Sequence, residues 1–203
     1  KEYEDGKLIF EGEYLNGEKW NGKAKEFNCG IFLSGKTYIK FEGEYKEGKR
    51  WKGKEYEDGK LIFDGEYLNG ERWNGKVKEY DDYNKLKFEG EYKEGKRNGK
   101  GKEYKDGKLI FEGEYLNEER NGKGKEYNYK GELIFEGEYK DGERWNGKGK
   151  EYDYNKLLLF VLNFNINIWN KEVDDCLLFE GEYKEGKRWN GKEYDFNGKL
   201  IFE

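Results

Sequence analysis

Leu109-Ile110-Phe111-Glu112-Gly113-Glu114-Tyr115, followed a few residues later by Asn121-Gly122-Lys123-Gly124-Lys125-Glu126-Tyr127, is the stretch whose reading decides the fold. In the first segment Leu109, Phe111, Gly113 and Tyr115 share one side, and Ile110, Glu112 and Glu114 share the other. A period of two is the mark of a strand, whose successive side chains point to opposite faces. The second segment offers Lys123 and Lys125 to the glutamates of its neighbour, a cross-strand pairing of opposite charges. Two such strands joined by a tight turn make a β-hairpin.

The same unit recurs along the chain. Phe-Glu-Gly-Glu-Tyr begins at Phe10, Phe41, Phe88, Phe111, Phe135 and Phe179; Phe63 begins it with Asp64 in place of the first Glu, and a worn copy begins at Phe160. The starts are 31, 22, 25, 23, 24, 25 and 19 residues apart, a spacing typical of stacked supersecondary units. Asn16-Gly17, Asp58-Gly59 and Asp106-Gly107 supply the positive φ that tight hairpin turns need. No capped helical pattern is present, and the chain has no Pro to interrupt a ladder. Mid-strand glycine costs about 0.5–1 kcal/mol relative to Ala. Its recurrence at Gly113 and the equivalent positions implies that an aromatic ring lies against the bare backbone there. The expected fold is all-β: an elongated single-sheet solenoid of about eight tandem antiparallel hairpins, one array over residues 1–203.

With these phrases in view, and with Gly-x-Gly plain in Asn98-Gly99-Lys100-Gly101-Lys102-Glu103-Tyr104, the unit resembles the MORN repeat. The resemblance covers nearly the whole chain, and turns such as Asp58-Gly59-Lys60-Leu61 are similar to the variant in bacterial antitoxin-like MORN proteins. It implies an elongated antiparallel sheet and roles in scaffolding, dimerisation or membrane-proximal attachment, without selecting one function.

Composition excludes more than it identifies. Charged residues make up 42% of the chain and aromatics 18%, so a thin sheet sealed by rings fits better than a thick aliphatic core. The two signs of charge alternate and leave a net charge of −5, which opposes nucleic acid and disfavours anionic membrane lipid as partners. There is no His, and Ser34 and Thr37 are the only hydroxyl nucleophiles of their types. No catalytic triad, zinc site or phosphate loop can be assembled from such an inventory, so no enzyme activity, metal or cofactor is expected. Asp81, Asp82 and Asn84 lack calcium-loop spacing and read as a polar turn. Cys29 and Cys176 lie near opposite ends and are expected to be free thiols, which favours a reducing, cytoplasmic setting. No signal peptide or membrane span is visible; the sequence opens on Lys1 rather than Met, which leaves a native leader open.

Two stretches depart from the repeat. Residues 28–39 lengthen a turn and read either as a long hairpin loop or as a binding protrusion. Residues 157–178 form a degenerate, apolar copy; Leu158, Phe160, Leu162 and Phe164 are either a local plug or a docking patch for another copy. The remaining signal is positional. Trp20, Trp51, Trp73, Trp145 and Trp189 occupy one place in the unit, the last four preceded by Arg50, Arg72, Arg144 and Arg188. Stacked, they would make an edge of Trp and Arg, residue types enriched in binding hot spots, unless each Trp merely folds over a neighbouring glycine. The expected function is therefore a non-catalytic module for protein–protein interaction or assembly, its partner another protein or a second copy of itself. Attachment to anionic lipid, antitoxin-like binding and carbohydrate binding are the alternatives. Both ends stop within the repeated phrase, at Lys1-Glu2-Tyr3 and Leu200-Ile201-Phe202-Glu203, so the array is expected to continue or to pair end to end.

Overall fold

The computed structural model describes residues 1–28, 38–153, 177–195 and 198–203. Every regular element among them is a β-strand. Seven hairpins follow one another: β2 (Lys7–Leu15) with β3 (Glu18–Asn28), β4 (Tyr38–Lys46) with β5 (Lys49–Glu57), β6 (Lys60–Leu68) with β7 (Glu71–Tyr80), and β8 (Leu86–Lys93) with β9 (Lys96–Lys105). The rest are β10 (Lys108–Leu116) with β11 (Glu119–Tyr127), β12 (Leu133–Lys140) with β13 (Glu143–Tyr152), and β14 (Leu177–Lys184) with β15 (Lys187–Tyr194). Single strands β1 (Glu2–Glu4) and β16 (Leu200–Phe202) flank them. All sixteen belong to one antiparallel sheet whose spatial order is the chain order, without crossover or closure.

The hairpin turns follow from their residues. Asn16-Gly17, Asp58-Gly59 and Asn69-Gly70 hold two successive positive φ values, 52° and 85° in the first, the twist that matches the flanking strands. Longer turns join other hairpins, and there a side-chain oxygen replaces the missing ladder. The Asp81 carboxylate accepts the backbone N–H groups of Tyr83 and Lys85 at 3.0 and 2.8 Å. Asn128 does the same for Lys130 and Glu132 at 2.9 and 3.0 Å.

Two rules govern the register. From one hairpin to the next, the Glu of Lys-Glu-Tyr or Lys-Glu-Phe faces the following Phe: Glu26 faces Phe41, Glu55 faces Phe63, Glu79 faces Phe88 and Glu151 faces Phe179. Inside a hairpin there are two solutions. Phe10 faces Ala24, Phe63 faces Val77 and Phe135 faces Gly149. In contrast Phe41 faces Glu55 and Phe179 faces Glu193, where Lys49–Glu57 and Lys187–Tyr194 lack two residues, and Phe88 faces Glu103, where Lys96–Lys105 lacks the Trp alone. We call the first kind long and the second short. A long hairpin displaces the next Phe by two residues, about 7 Å along the strand, and a short one leaves it level.

Packing divides the chain into two units, Lys1–Gly107 with Leu116–Glu118, and Lys108–Tyr115 with Glu119–Glu203. In the first, Phe10, Phe41, Phe63 and Phe88 are buried, and the Phe41 ring covers the facing glycines Gly43 and Gly53. A Cβ at either would stand 2.7–2.8 Å from that ring, so only glycine fits. Tyr45 and Tyr67 meet Phe41 edge to face, with centroids 6.1 and 5.6 Å away. The second unit repeats the arrangement: Phe111, Phe135 and Phe179 are buried, and Tyr183 stands edge-on to Phe135 and Phe179 at 5.5 Å.

The long turn expected at 28–39 and the worn repeat expected at 157–178 lie outside the described residues except at their margins. The ladder closes up to those margins: Asn28 faces Tyr38, and Tyr152 faces Leu177.

Candidate functional site

The aromatic face is sealed by its own polar groups. Each Arg that precedes a Trp returns over the Phe of its own hairpin and reaches the Glu of the hairpin before. Arg50 lies 4.5 Å from the Phe41 ring centre and grips Glu26 through two hydrogen bonds of 2.8 and 2.6 Å. Arg72 does this with Phe63 and Glu55, Arg144 with Phe135 and Glu126, and Arg188 with Phe179 and Glu151. The Tyr of the same hairpin donates its hydroxyl to that Glu: Tyr45 to Glu26 at 2.8 Å, Tyr139 to Glu126 at 3.0 Å and Tyr183 to Glu151 at 2.5 Å. In the first hairpin Lys19 and Tyr14 meet Glu2 in this way.

The electrostatics follow. Burial opposes the charge on Glu26, but hydrogen bonds from Arg50 and Tyr45 outweigh it and hold its pKa below the usual carboxylate value. The Arg188 hydrogen bond is the main cause for Glu151, which is also lowered. Burial and the hydrogen bond to Glu26 push Tyr45 up to about 12; Tyr183 reaches about 12 through burial and Glu151. Such groups are locked in their resting protonation states and committed to one another. Arg50, Arg72, Arg144 and Arg188 thus stand together with the rings rather than beside the tryptophans.

The five tryptophans do not share one environment. Trp20, Trp73 and Trp145, all in long hairpins, take up the turn of the following hairpin. Their carbonyls accept the N–H of Gly48, Gly95 and Gly186 at 3.0, 2.8 and 3.0 Å, and the rings lie beside those glycines. The adjacent Asn completes the capture: Asn21, Asn74 and Asn146 side chains accept the N–H of Glu47, Glu94 and Glu185, each at 3.0 Å. Trp51, in the short hairpin β4–β5, meets no such turn and is 45% exposed; Trp189 is 66% exposed. Lys46 and Lys184 approach their rings at 5.6 and 4.3 Å. Leu158, Phe160, Leu162 and Phe164 lie outside the described residues.

The opposite face carries the charges as anticipated, with Lys25–Glu42, Lys78–Glu89 and Lys125–Glu136 at 3.7, 3.7 and 3.1 Å. Exposed pairs of this kind contribute about 0–1 kcal/mol each. Among the described residues no group of acidic, His or Cys side chains has the geometry to hold a metal ion.

One feature escapes the sequence reading. Leu15, Leu68 and Leu116 hold equivalent places just before an Asn at the hairpin turn, and are 46%, 47% and 49% exposed. The signal was available: Tyr-Leu-Asn turns alternate irregularly with Tyr-Lys-Glu turns, an apolar residue where a lysine would serve. No protein-family model matches the chain, and no curated protein matches its sequence.

Proposed function

We propose that the chain is a non-catalytic, MORN-like repeat module for protein–protein interaction, with the turn edge of its first unit as the contact surface. The observation that carries this is the recurrence of exposed Leu15, Leu68 and Leu116 at equivalent turn positions on that edge, while Arg50, Arg72 and Arg97 are held over the rings. Repeated apolar side chains left in water mark an interaction surface more strongly than a single one does. The abundance of Glu and Lys around them supplies a polar rim that favours reversible, specific contact over aggregation.

The test is an affinity capture from a cell extract with the native chain and a Leu15→Ser, Leu68→Ser, Leu116→Ser variant as parallel baits. Since each leucine is about half exposed, the variant is expected to fold, with a stability change within about 1.5 kcal/mol. A protein retained by the native bait and lost by the variant supports the leucine edge. Equal retention by both removes it. Anionic vesicles offered to the same pair separate this reading from attachment to lipid.

A further inference from the structure

The charged face carries one trough twice. In the first unit Glu11, Lys23 and Glu44 stand around a floor formed by Gly43 and Gly53, with Ile9 at one end, enclosing about 480 Å³. In the second unit Glu136, Lys148 and Glu182 hold the same places over Gly181 and Gly191, with Ile134 at the end, enclosing about 440 Å³. The correspondence is one of register as well as residue type: Lys23 faces Glu44, and Lys148 faces Glu182. The first trough spans β2–β3 and β4–β5, and the second spans β12–β13 and β14–β15.

Trp51, in the short hairpin β4–β5, is 45% exposed. Trp51 lines a second hollow of about 720 Å³ that shares Glu11, Lys23 and Glu44 with the first trough, so the two are continuous and end at an indole. Lys46 lines the same hollow and approaches the Trp51 ring, and Lys184 stands likewise against Trp189. In the long hairpins the turn of the next hairpin lies beside the indole; here that neighbour is missing and the ring is open to a ligand.

The chemistry narrows the occupant. The first trough is lined by Glu11, Glu42, Glu44 and Asp64 against Lys23, Lys25, Lys52 and Lys54, a balance that gives no attraction to a polyanion or a polycation. Its glycine floor is flat backbone and offers no pocket into which a peptide side chain could insert. Carboxylates accept hydroxyl protons, ammonium groups donate to hydroxyl and ring oxygens, and an indole presents a flat apolar face. Those three together suit a ring that is apolar on its faces and hydroxylated around its rim. We propose that the first trough, continued to Trp51, is a binding site for an uncharged linear oligosaccharide, with Trp51 as its stacking platform. This inference stands apart from the leucine edge, which lies at the turns and uses other residues.

The experiment is a titration of the full chain with cellohexaose, xylohexaose and chitohexaose, followed by tryptophan fluorescence and calorimetry. The expected result is saturable binding of at least one hexaose, little changed between low salt and about 0.5 M salt. Trp51→Ala is expected to weaken binding at least about tenfold. Should that variant disturb folding, Glu44→Gln, on the charged face, is expected to weaken binding with the circular dichroism unchanged. Absence of binding by all three hexaoses overturns the proposal, as does native affinity in the folded variants. Salt-sensitive binding of heparin in their place, or retention of a peptide partner by this trough, overturns it too.

Discussion

Trp73 and Trp51 occupy the same place in two neighbouring hairpins, after Arg72 and Arg50, yet one is half-buried against a turn and the other is open. The difference begins two residues away. β7 contains Lys76-Val77-Lys78 before its Glu, where β5 has only Lys54. Both strands obey the same rule toward the next hairpin, Glu79 to Phe88 and Glu55 to Phe63. The extra pair in β7 therefore lands on the near side of the Trp: Gly75 faces Tyr92, and Trp73 reaches the Glu94-Gly95 turn. In β5, Lys52 faces Glu66, so Trp51 is level with the strand and the turn lies beyond it. Strand length, read through a fixed register, decides that Trp73 seals the sheet and that Trp51 is left exposed.

The comparison is tested first where the two hairpins should not differ. Phe41→Ala and Phe63→Ala each remove a fully buried ring and are expected to cost about 3–5 kcal/mol, measured by urea denaturation. Costs differing by more than about 2 kcal/mol would show that register, as well as the ring, sets the packing.

The Arg–Glu–Tyr groups are also common to both, so the response to pH should be shared. Tyr45, Tyr92 and Tyr183 sit at about 12 in the folded chain against 10 in the unfolded one, chiefly through burial. A raised folded pKa means stability that is complete below pH 10 and declines as pH rises toward 12. On the acid side Glu26 and Glu151 are lowered, so their contribution is present above about 4.5 and lost as pH falls through their folded values. Denaturant midpoints against pH should fall at both ends, with phenolate absorbance rising together with unfolding at the alkaline one. A phenolate signal at pH 10 in the folded chain that diminishes on Tyr45→Phe, Tyr92→Phe and Tyr183→Phe substitution would mean that these hydroxyls are not held by the glutamates.

A smaller effect separates the two hairpins. Trp73→Ala is expected to cost about 1–3 kcal/mol and Trp51→Ala less than about 0.5 kcal/mol in thermal melts. Equal costs would show that capture of the turn adds no stability. The smallest concerns Glu118, which holds φ at +80° in the Asn117-Glu118 turn where the other hairpin turns have glycine. Glu118→Gly relieves that strain but loses the hydrogen bond from the Arg97 N–H at 2.8 Å, for an expected net gain of about 0.5 kcal/mol. A fall in melting temperature would rank the bond above the strain.

Much of this was legible in the residues themselves. Alternation in Leu109 to Tyr115 gave strands, Asn-Gly and Asp-Gly steps gave turns, and the recurring mid-strand glycine announced a ring upon the backbone. All are local properties, set by sterics within a few residues of one chain segment. The fate of Arg50 and its counterparts was not legible: beside Trp in sequence, they lie with Phe and Glu in the sheet. Nor was the split among the tryptophans. The missing residues in β5 and β15 can be counted, but their consequence depends on which residue of the next strand each one faces. Sequence determined that the chain is a single-sheet array of hairpins with an aromatic and a charged face. Only the tertiary structure decided which side chains close that array and which remain open, because cross-strand register couples residues as distant in sequence as Gly75 and Tyr92, and a shift of two moves a whole turn by about 7 Å.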